Sequence, residues 1–409
     1  LQNSLAIYVS GIIAVKGNFM TNDIAEQAIE ILEKLVSFDT TSDKPNLACI
    51  NYIERYLEKH GVQSSIVYED ETHANLFATV GSDEMYPKSQ SGIMFAGHTD
   101  CVPVSNQKWT SNPYELTKRD GKLYGKGAAD MKGFIACVLA MVPHFLNAED
   151  RTEKFFHVAF TSSEESTMYG AEALVNDLIA KNFKPRWTLV GEPTGFIAIT
   201  QHRGVSVFET VVTGVAAHSS MPNSGANAIE VMNKVTNIIL SVAKQRAENP
   251  YKNSQFKLPY TILNLGIIEG GAAPNIIADK CRLVWEIRPH PGDSDEDFLK
   301  EVKALIDRDI LPDNEAKIET KQIEKAMPFT GNTVNKALEA LRKVKKDLLE
   351  KTADAGTEAG IYQKLGEGVV VCGPGCVLNA HMADEFMEEP QMREFVSMLK
   401  KMLICNDLG

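Results

Sequence analysis

The chain has 409 residues, too many for one ordinary hydrophobic core and enough for two or three domains. Its apolar content of 44% and charged content of 23% are those of a soluble globular protein. The net charge of -12 speaks against nucleic acid and against an anionic membrane surface as partners, and it leaves carboxylates available as cation ligands. Seven cysteines are scattered with no C-x-x-C pair, the pattern of reduced thiols in a cytoplasmic protein rather than a disulfide framework.

The apolar run Leu5 to Val15 is too short to span a bilayer and lacks the basic flank of a signal peptide. A helical pattern starts just after Met20, so residues 1–19 read as an upstream-translated or appended segment. Ile24, Ala28, Ile31, Leu32 and Leu35 fall on one helix face, opened by Asn22 or Asp23. A second helix follows from about Pro45 to Gly61, then strands over 64–68 and 75–80. The apolar run Ile93–Ala96 leads into Gly97-His98-Thr99-Asp100, a buried strand meeting a loop. Ligands gather at the carboxyl ends of such strands, so His98 is delivered to a site. Asp100 faces the same side if the chain is extended, and can hold the imidazole's orientation and tautomer.

The loop Gly125-Lys126-Gly127-Ala128-Ala129-Asp130 opens onto a helix, Phe134 to Leu146, that is apolar nearly all round and therefore buried. Gly125-x-Gly127 invites a dinucleotide-binding reading. Asp130 occupies the third glycine position, however, and its carboxylate would repel a pyrophosphate. A strand over 155–161 ends in Ser162-Ser163-Glu164-Glu165, a helix covers 168–181, and a strand over 188–190 ends in Gly191-Glu192-Pro193-Thr194. This rhythm predicts an α/β fold with a mixed, mostly parallel sheet flanked by helices.

Near residue 204 the rhythm changes. Strand 205–213, helix 227–244, strands 261–268 and 282–287, helix 294–309 and strand 317–323 give βαββαβ, a ferredoxin-like plait. Helix 333–345, strand 368–372, a loop to His381 and helix 389–404 complete the chain. The organisation predicted is one domain, 20–203 and 324–409, interrupted by an inserted one, 204–323.

His98, Asp130, Glu165, Glu192 and His381 sit at loop positions, most just after apolar strands. Two imidazoles and three carboxylates are what two zinc ions need, with one Asp bridging, and cobalt or manganese suits the same donors. Two such cations can share a water and lower its pKa toward about 7. In the pair Glu164-Glu165, neighbouring residues of an extended stretch face opposite ways, so one can bind metal while the other moves protons.

Gly97-His98-Thr99-Asp100, Lys126-Gly127-Ala-Ala-Asp130-Met131-Lys132-Gly133, Glu164-Glu165, Gly191-Glu192-Pro193-Thr194 and the late His381 resemble the dinuclear zinc metallopeptidases of the aminoacylase and carboxypeptidase type. The resemblance covers nearly all of the chain after Met20. It implies a zinc-exopeptidase-like catalytic domain and an inserted lid and dimerisation domain. It also implies that His98 and Glu192 hold one Zn2+, that Glu165 and His381 hold the other, and that Asp130 bridges them. Asp100 would orient His98, and Glu164 would be the general base and acid. His218 would reach a substrate oxygen from the partner subunit of a homodimer, while Arg288, Arg203 and Asn275 would bind the substrate. Leu35–Thr41, Asn75–Thr79, Thr357–Gly360 and Val371–Gly375 resemble those members that cleave the acyl amide of an N2-acylated basic amino acid. Many relatives carry Asp directly before the Glu pair, where this chain has Ser163. A rival of another class is a zinc-stapled binding protein without catalysis.

Overall fold

The computed structural model describes residues 23–87, 92–313, 315–331, 335–366 and 368–404. The segment 1–19 therefore lies outside the described residues. The chain divides into two compact units: one up to Thr200 with Gly331–Lys351 and the chain from Ile361 onward, the other Gln201–Thr330 with Thr352–Gly360.

The first unit starts with α1 (23–36), which buries Ile24, Ala28, Ile31, Leu32 and Leu35 as their spacing predicts. Helix α2 (Leu47–Lys59) buries Cys49, Ile50, Ile53 and Leu57 on one face. Strands β1 (Ser64–Tyr68), β2 (Ala74–Val80) and β3 (Ile93–His98) follow, then two three-residue strands, β4 (Thr117–Arg119) and β5 (Lys122–Tyr124). Helix α3 (Gly133–Leu146) is apolar on every side and packs inside the unit. With the turn before it, Ala128–Leu146 is long and apolar enough to cross a bilayer, yet 83% of the window is buried in protein, as for a core helix.

Strand β6 (Phe156–Thr161), α4 (Tyr169–Ala180), β7 (Trp187–Val190) and β8 (Ala198–His202) precede the second unit. On its return the chain forms α7 (Lys336–Val344), β13 (Glu350–Ala353), the short α8 (Ala359–Tyr362), β14 (Val369–Val371), β15 (Phe386–Glu388) and α9 (Glu389–Leu403). Eight strands make one sheet in the order β1-β2-β6-β3-β7-β14-β8-β13. The pairs β6–β3, β3–β7 and β7–β14 are parallel, whereas β1–β2, β2–β6 and β14–β8 are antiparallel. The expected parallel character thus holds for the central four strands only. These are fully buried and apolar, as strands covered on both faces must be. A separate three-stranded sheet has the order β15-β5-β4.

The second unit runs β9 (Val205–Thr213), α5 (Ala228–Glu248), β10 (Ile262–Gly270), β11 (Lys280–Arg288), α6 (Asp295–Asp309) and β12 (Lys317–Ala326). This is the βαββαβ element order predicted, with an antiparallel sheet ordered β10-β11-β9-β12. Asn227 caps α5 by accepting from the Ile229 and Glu230 N–H groups, and Ser294 caps α6 from Asp297 N–H. Phe208, Val212, Trp285, Ile287, Phe298 and Val302 lie in the core between sheet and helices. The six cysteines of the described residues are free thiols.

Candidate metal centre

Parallel register brings distant residues of the first unit to one sheet edge. His98, the last residue of β3, pairs with Thr161 of β6, and Ala96 pairs with Val190 of β7. The chain therefore leaves these strands with His98 beside the Ser162–Glu165 turn and close to Gly191-Glu192. Strand β14 lies parallel to β7, with Val371 opposite Val190, and continues into the loop that carries His381. Such carboxyl-end crevices are where open α/β sheets place ligands.

Asp130 stands between the two imidazoles. Its Oδ1 lies 3.1 Å from His98 Nε2, and its Oδ2 lies 3.3 Å from His381 Nε2. His381 Nε2 is also 2.9 Å from Glu165 Oε2. Two donor groups result, His98–Asp130–Glu192 and Asp130–Glu165–His381, each with its ligand atoms within 4.8 Å of one another. Asp130 belongs to both. His98 and Asp130 are buried, while His381 is half exposed, so the second group is the one open to solvent.

The electrostatics of this cluster call for positive charge. Hydrogen bonds donated to the Asp130 and Glu165 carboxylates push the His381 imidazole up to about 10. Burial alone would lower His98, but Asp100 and Asp130 reverse this and hold it well above the ordinary histidine range. Burial would raise Asp130, and the two imidazoles instead hold it well below the usual carboxylate range. Glu165 is raised, by burial first. A field that favours a proton this strongly also favours a divalent cation. The nitrogen and oxygen donors fit two zinc, cobalt or manganese ions, and the outer nitrogen of His98 is fixed as metal-ligating imidazoles require.

That fixing differs in detail from the sequence reading. His98 Nδ1 is 3.0 Å from the Asp100 backbone carbonyl and 3.5 Å from Asp100 Oδ1. The Asp100 carboxylate turns instead to the Glu pair, accepting Glu164 N–H at 3.0 Å and Glu165 N–H at 3.2 Å, with the Ser42 hydroxyl at 2.6 Å. Ser163, at φ 63°, donates its hydroxyl to Glu69 Oε2 at 2.7 Å, and Ser162 donates to the same oxygen at 2.8 Å. A carboxylate from the end of the β1 hairpin thus stands behind the Ser162–Glu165 turn.

Glu385 was not singled out from the sequence. It is fully buried, four residues after His381, and its carboxylate accepts from Lys126 and from the N–H groups of the loop leading to Asp130. Read locally, His381-Met-Ala-Asp384-Glu385 looks like an acidic surface loop, and nothing in it signals this burial.

In the second unit the structure brings His218 and Asn275 onto adjacent exposed segments, joined by Ser219 N–H to Asn275 C=O at 3.0 Å and a bridge from His218 to Ile276. His218 Nδ1 accepts from Ser220 N–H at 3.2 Å, which leaves the proton of the neutral ring on Nε2. Arg288 is one-third exposed, with a loose contact of 3.4 Å to Glu286. Arg203 departs from expectation. Its guanidinium is fully buried over Phe256 and donates to Asp354 and to the Tyr260 and Leu258 carbonyls. It is an internal clamp of this unit, and we remove it from the substrate-binding set.

Two cation-binding groups sharing one aspartate at the carboxyl edge of an α/β sheet define a dinuclear-metal hydrolase. The chain matches Peptidase family M20/M25/M40 over residues 94–404 and belongs to that family. It is a metal-dependent hydrolase. It is 32% identical over 372 residues to an acetylornithine deacetylase of Aliivibrio salmonicida, covering 90% of this chain and 93% of that one. An acetylornithine deacetylase of Proteus mirabilis is 33% identical over 357 residues, with 86% and 87% covered. Among solved structures, aminopeptidase PepT from Bacillus cereus aligns with a TM-score of 0.70 at 18% identity, covering 92% of this chain and 98% of that one. The Bacillus subtilis YXEP protein, a dinuclear metal binding peptidase of the M20 family, aligns with a TM-score of 0.61 at 15% identity, covering 92% and 97%. These two likenesses speak for the fold.

Proposed function

We propose that the protein hydrolyses N2-acetyl-L-ornithine to L-ornithine and acetate, a step of arginine biosynthesis, in the cytoplasm. The observation that carries the chemistry is the Asp130 carboxylate facing His98 with one oxygen and His381 with the other. The substrate assignment rests on relatives of that name more than 30% identical along most of the chain.

In this reading His98 and Glu192 hold one Zn2+, Glu165 and His381 hold the other, Asp130 bridges, and Co2+ can substitute. When bound, the ions supply Lewis acidity, lowering the pKa of water and polarising the amide carbonyl. Glu164 accepts the proton of the attacking water and delivers it to the amine nitrogen as the C–N bond breaks. Asp100 accepts the backbone N–H of Glu164 and so anchors the turn from which this side chain projects. His218, with its Nε2 proton free to donate, stabilises the oxyanion from the partner chain of a homodimer formed through the inserted domain. Arg288 takes the α-carboxylate and Asn275 a further polar group of the substrate. Catalysis belongs to the first compact unit, and the lid and dimerisation role to the second, Gln201–Thr330 with Thr352–Gly360, whose bounds lie slightly outside the 204–323 read from the sequence.

The test is turnover of N-acetylornithine, N-succinyl-diaminopimelate and a dipeptide with zinc or cobalt present. Acetylornithine ranking first supports the assignment, and its ranking last overturns it in favour of a desuccinylase or dipeptidase. Glu164→Gln separates an enzyme from a metal staple: metal retained with turnover lost is the expected result.

A further inference from the structure

Glu385 has an environment too demanding for an ordinary buried carboxylate. Oε2 accepts from Lys126 Nζ at 2.9 Å and from Gly127 N–H at 3.1 Å. Oε1 accepts from Ala129 N–H and from Asp130 N–H, each at 3.1 Å. The backbone joins in, because Gly125 N–H donates to the Glu385 carbonyl at 3.0 Å. One residue therefore takes five donors from the six-residue loop 125–130, and the last of them is the amide of Asp130 itself.

Loop and carboxylate are both held by regular structure. Strand β15 pairs antiparallel with β5, setting Phe386 opposite Tyr124, so Glu385 and Gly125 leave the ladder side by side. Gly127 turns at φ 75°, and a Cβ there would lie 2.6 Å from Cys101 Sγ, so the loop has one path. The inward-turned N–H groups of Gly127, Ala129 and Asp130 form a concave anion cradle, and Glu385 fills it. On the other side the Glu385 stretch is continuous with His381, whose carbonyl accepts from Gln107 Nε2 at 3.0 Å, while Asp384 Oδ1 takes Thr110 N–H at 2.8 Å.

Stability alone is a poor reason for this arrangement. Lys126 and Glu385 are both essentially inaccessible to solvent. Apolar side chains of similar volume in place of a buried ion pair are often neutral or stabilising. What an apolar pair cannot do is fix the direction of three consecutive-turn N–H groups, and with them the plane of the Asp130 peptide. A carboxylate shared between two cations has to be held to within about 0.5 Å of the geometry that serves both.

We propose that Glu385, with Lys126 as its counter-ion, is a positioning residue that sets the Asp130 carboxylate at the midpoint of the two cation sites and fixes its spacing from His381. The proposal rests on the reading of Asp130 as the shared ligand. It makes the 125–130 loop and the 381–385 segment one unit: the residue that aims one ligand lies on the segment that carries another.

The experiment compares Glu385→Gln, the pair Lys126→Met with Glu385→Gln, and Asp130→Asn with the unsubstituted full chain. Zinc and cobalt affinity is measured by competition with a chelator, alongside kcat, KM and the melting midpoint. Glu385→Gln is expected to weaken metal binding about 10–100-fold and to lower kcat with KM little changed. The pair, which leaves no lone buried charge if the single variant folds poorly, is expected to show the same loss of metal affinity in a protein that melts normally. If both hold metal as tightly as the unsubstituted protein and differ only in melting midpoint, the positioning role is overturned while the shared ligand stands, provided Asp130→Asn loses metal. If Asp130→Asn also keeps both ions, the shared-ligand reading falls and this proposal with it.

Discussion

Asp100 Oδ1 accepts the backbone N–H of Glu164 at 3.0 Å, and Oδ2 accepts that of Glu165 at 3.2 Å. One buried carboxylate thus splints the turn that carries both acids, while its own backbone carbonyl meets His98. Burial would raise Asp100, but His98, Ser42 and the Glu164 amide hold it below the ordinary range, so it stays an acceptor. Asp100→Asn would turn an NH2 group toward one of those N–H donors. A buried donor left unmatched costs about 1–3 kcal/mol. If that strain falls on the Glu164 carboxylate, kcat drops about 10–100-fold at roughly 1.4 kcal/mol per decade. Steady-state kinetics with metal analysis checks this: kcat falls, KM changes little, and two ions remain bound.

The Ser163–Glu69 contact makes a second prediction. Both Ser162 and Ser163 donate to one Glu69 oxygen, so Ser163→Asp would set a second carboxylate against the first. The single substitution is expected to destabilise by about 1 kcal/mol through like-charge repulsion. Glu69→Gln in the same chain should recover most of the loss, because contacting residues couple. Melting midpoints of the two single variants and the double variant decide it, with simple additivity as the result that refutes the contact.

These two carboxylates show where sequence reading succeeds and where it stops. His98, Glu165 and Glu192, which the structure gathers around Asp130, could be singled out because each lies at the end of an apolar strand or in the turn after it, a local signal. Asp100 was legible as a partner of His98 but not as the anchor of Glu164, since that contact spans 64 residues and depends on β3–β6 register. Arg203 failed for the opposite reason. Gln201-His202-Arg203-Gly204 looks like an accessible turn, and the groups that enclose its guanidinium, Leu258, Tyr260 and Asp354, lie far along the chain. Strands β4, β5 and β15 are three residues each, too short for any periodicity, and it is the β5–β15 pair that brings Glu385 to the Asp130 loop.

His202 gives a pH prediction that leaves the metal centre aside. The ring is fully buried, and its Nδ1–H donates to the Arg203 carbonyl at 2.8 Å. Nε2 accepts from Thr357 N–H at 3.2 Å, so the neutral tautomer is satisfied and the cation would face a donor. Burial pulls the imidazole down to about 4. The unfolded chain binds this proton below about 6.5 and the folded chain does not until about pH 4, so stability rises with pH across that window and is flat above it. Acidifying from neutral to pH 4 should therefore remove on the order of 3 kcal/mol through this group. Urea unfolding at several pH values checks the slope, from which His202→Gln should remove this group's share.

Chelation provides the last prediction, because all five proposed ligands belong to the first unit. Two ions bound to the folded state alone stabilise it by RT ln(1 + [M]/Kd) each, about 4 kcal/mol at a thousandfold excess over Kd. Stripping them leaves Asp130, Glu165 and Glu192 close together with only two imidazoles to offset their charge. The melting midpoint should therefore fall on chelation and return with added zinc or cobalt. Hydrogen exchange should localise the change: amides of 96–100, 127–131, 163–165 and 190–193 lose protection, because ligand loops are tethered through the ions. Amides of β9 and β11, whose core of Phe208, Trp285 and Phe298 is built without any ligand residue, should exchange at the same rate with or without metal. Equal loss in both units would mean that the ions act on the whole chain rather than at the shared aspartate.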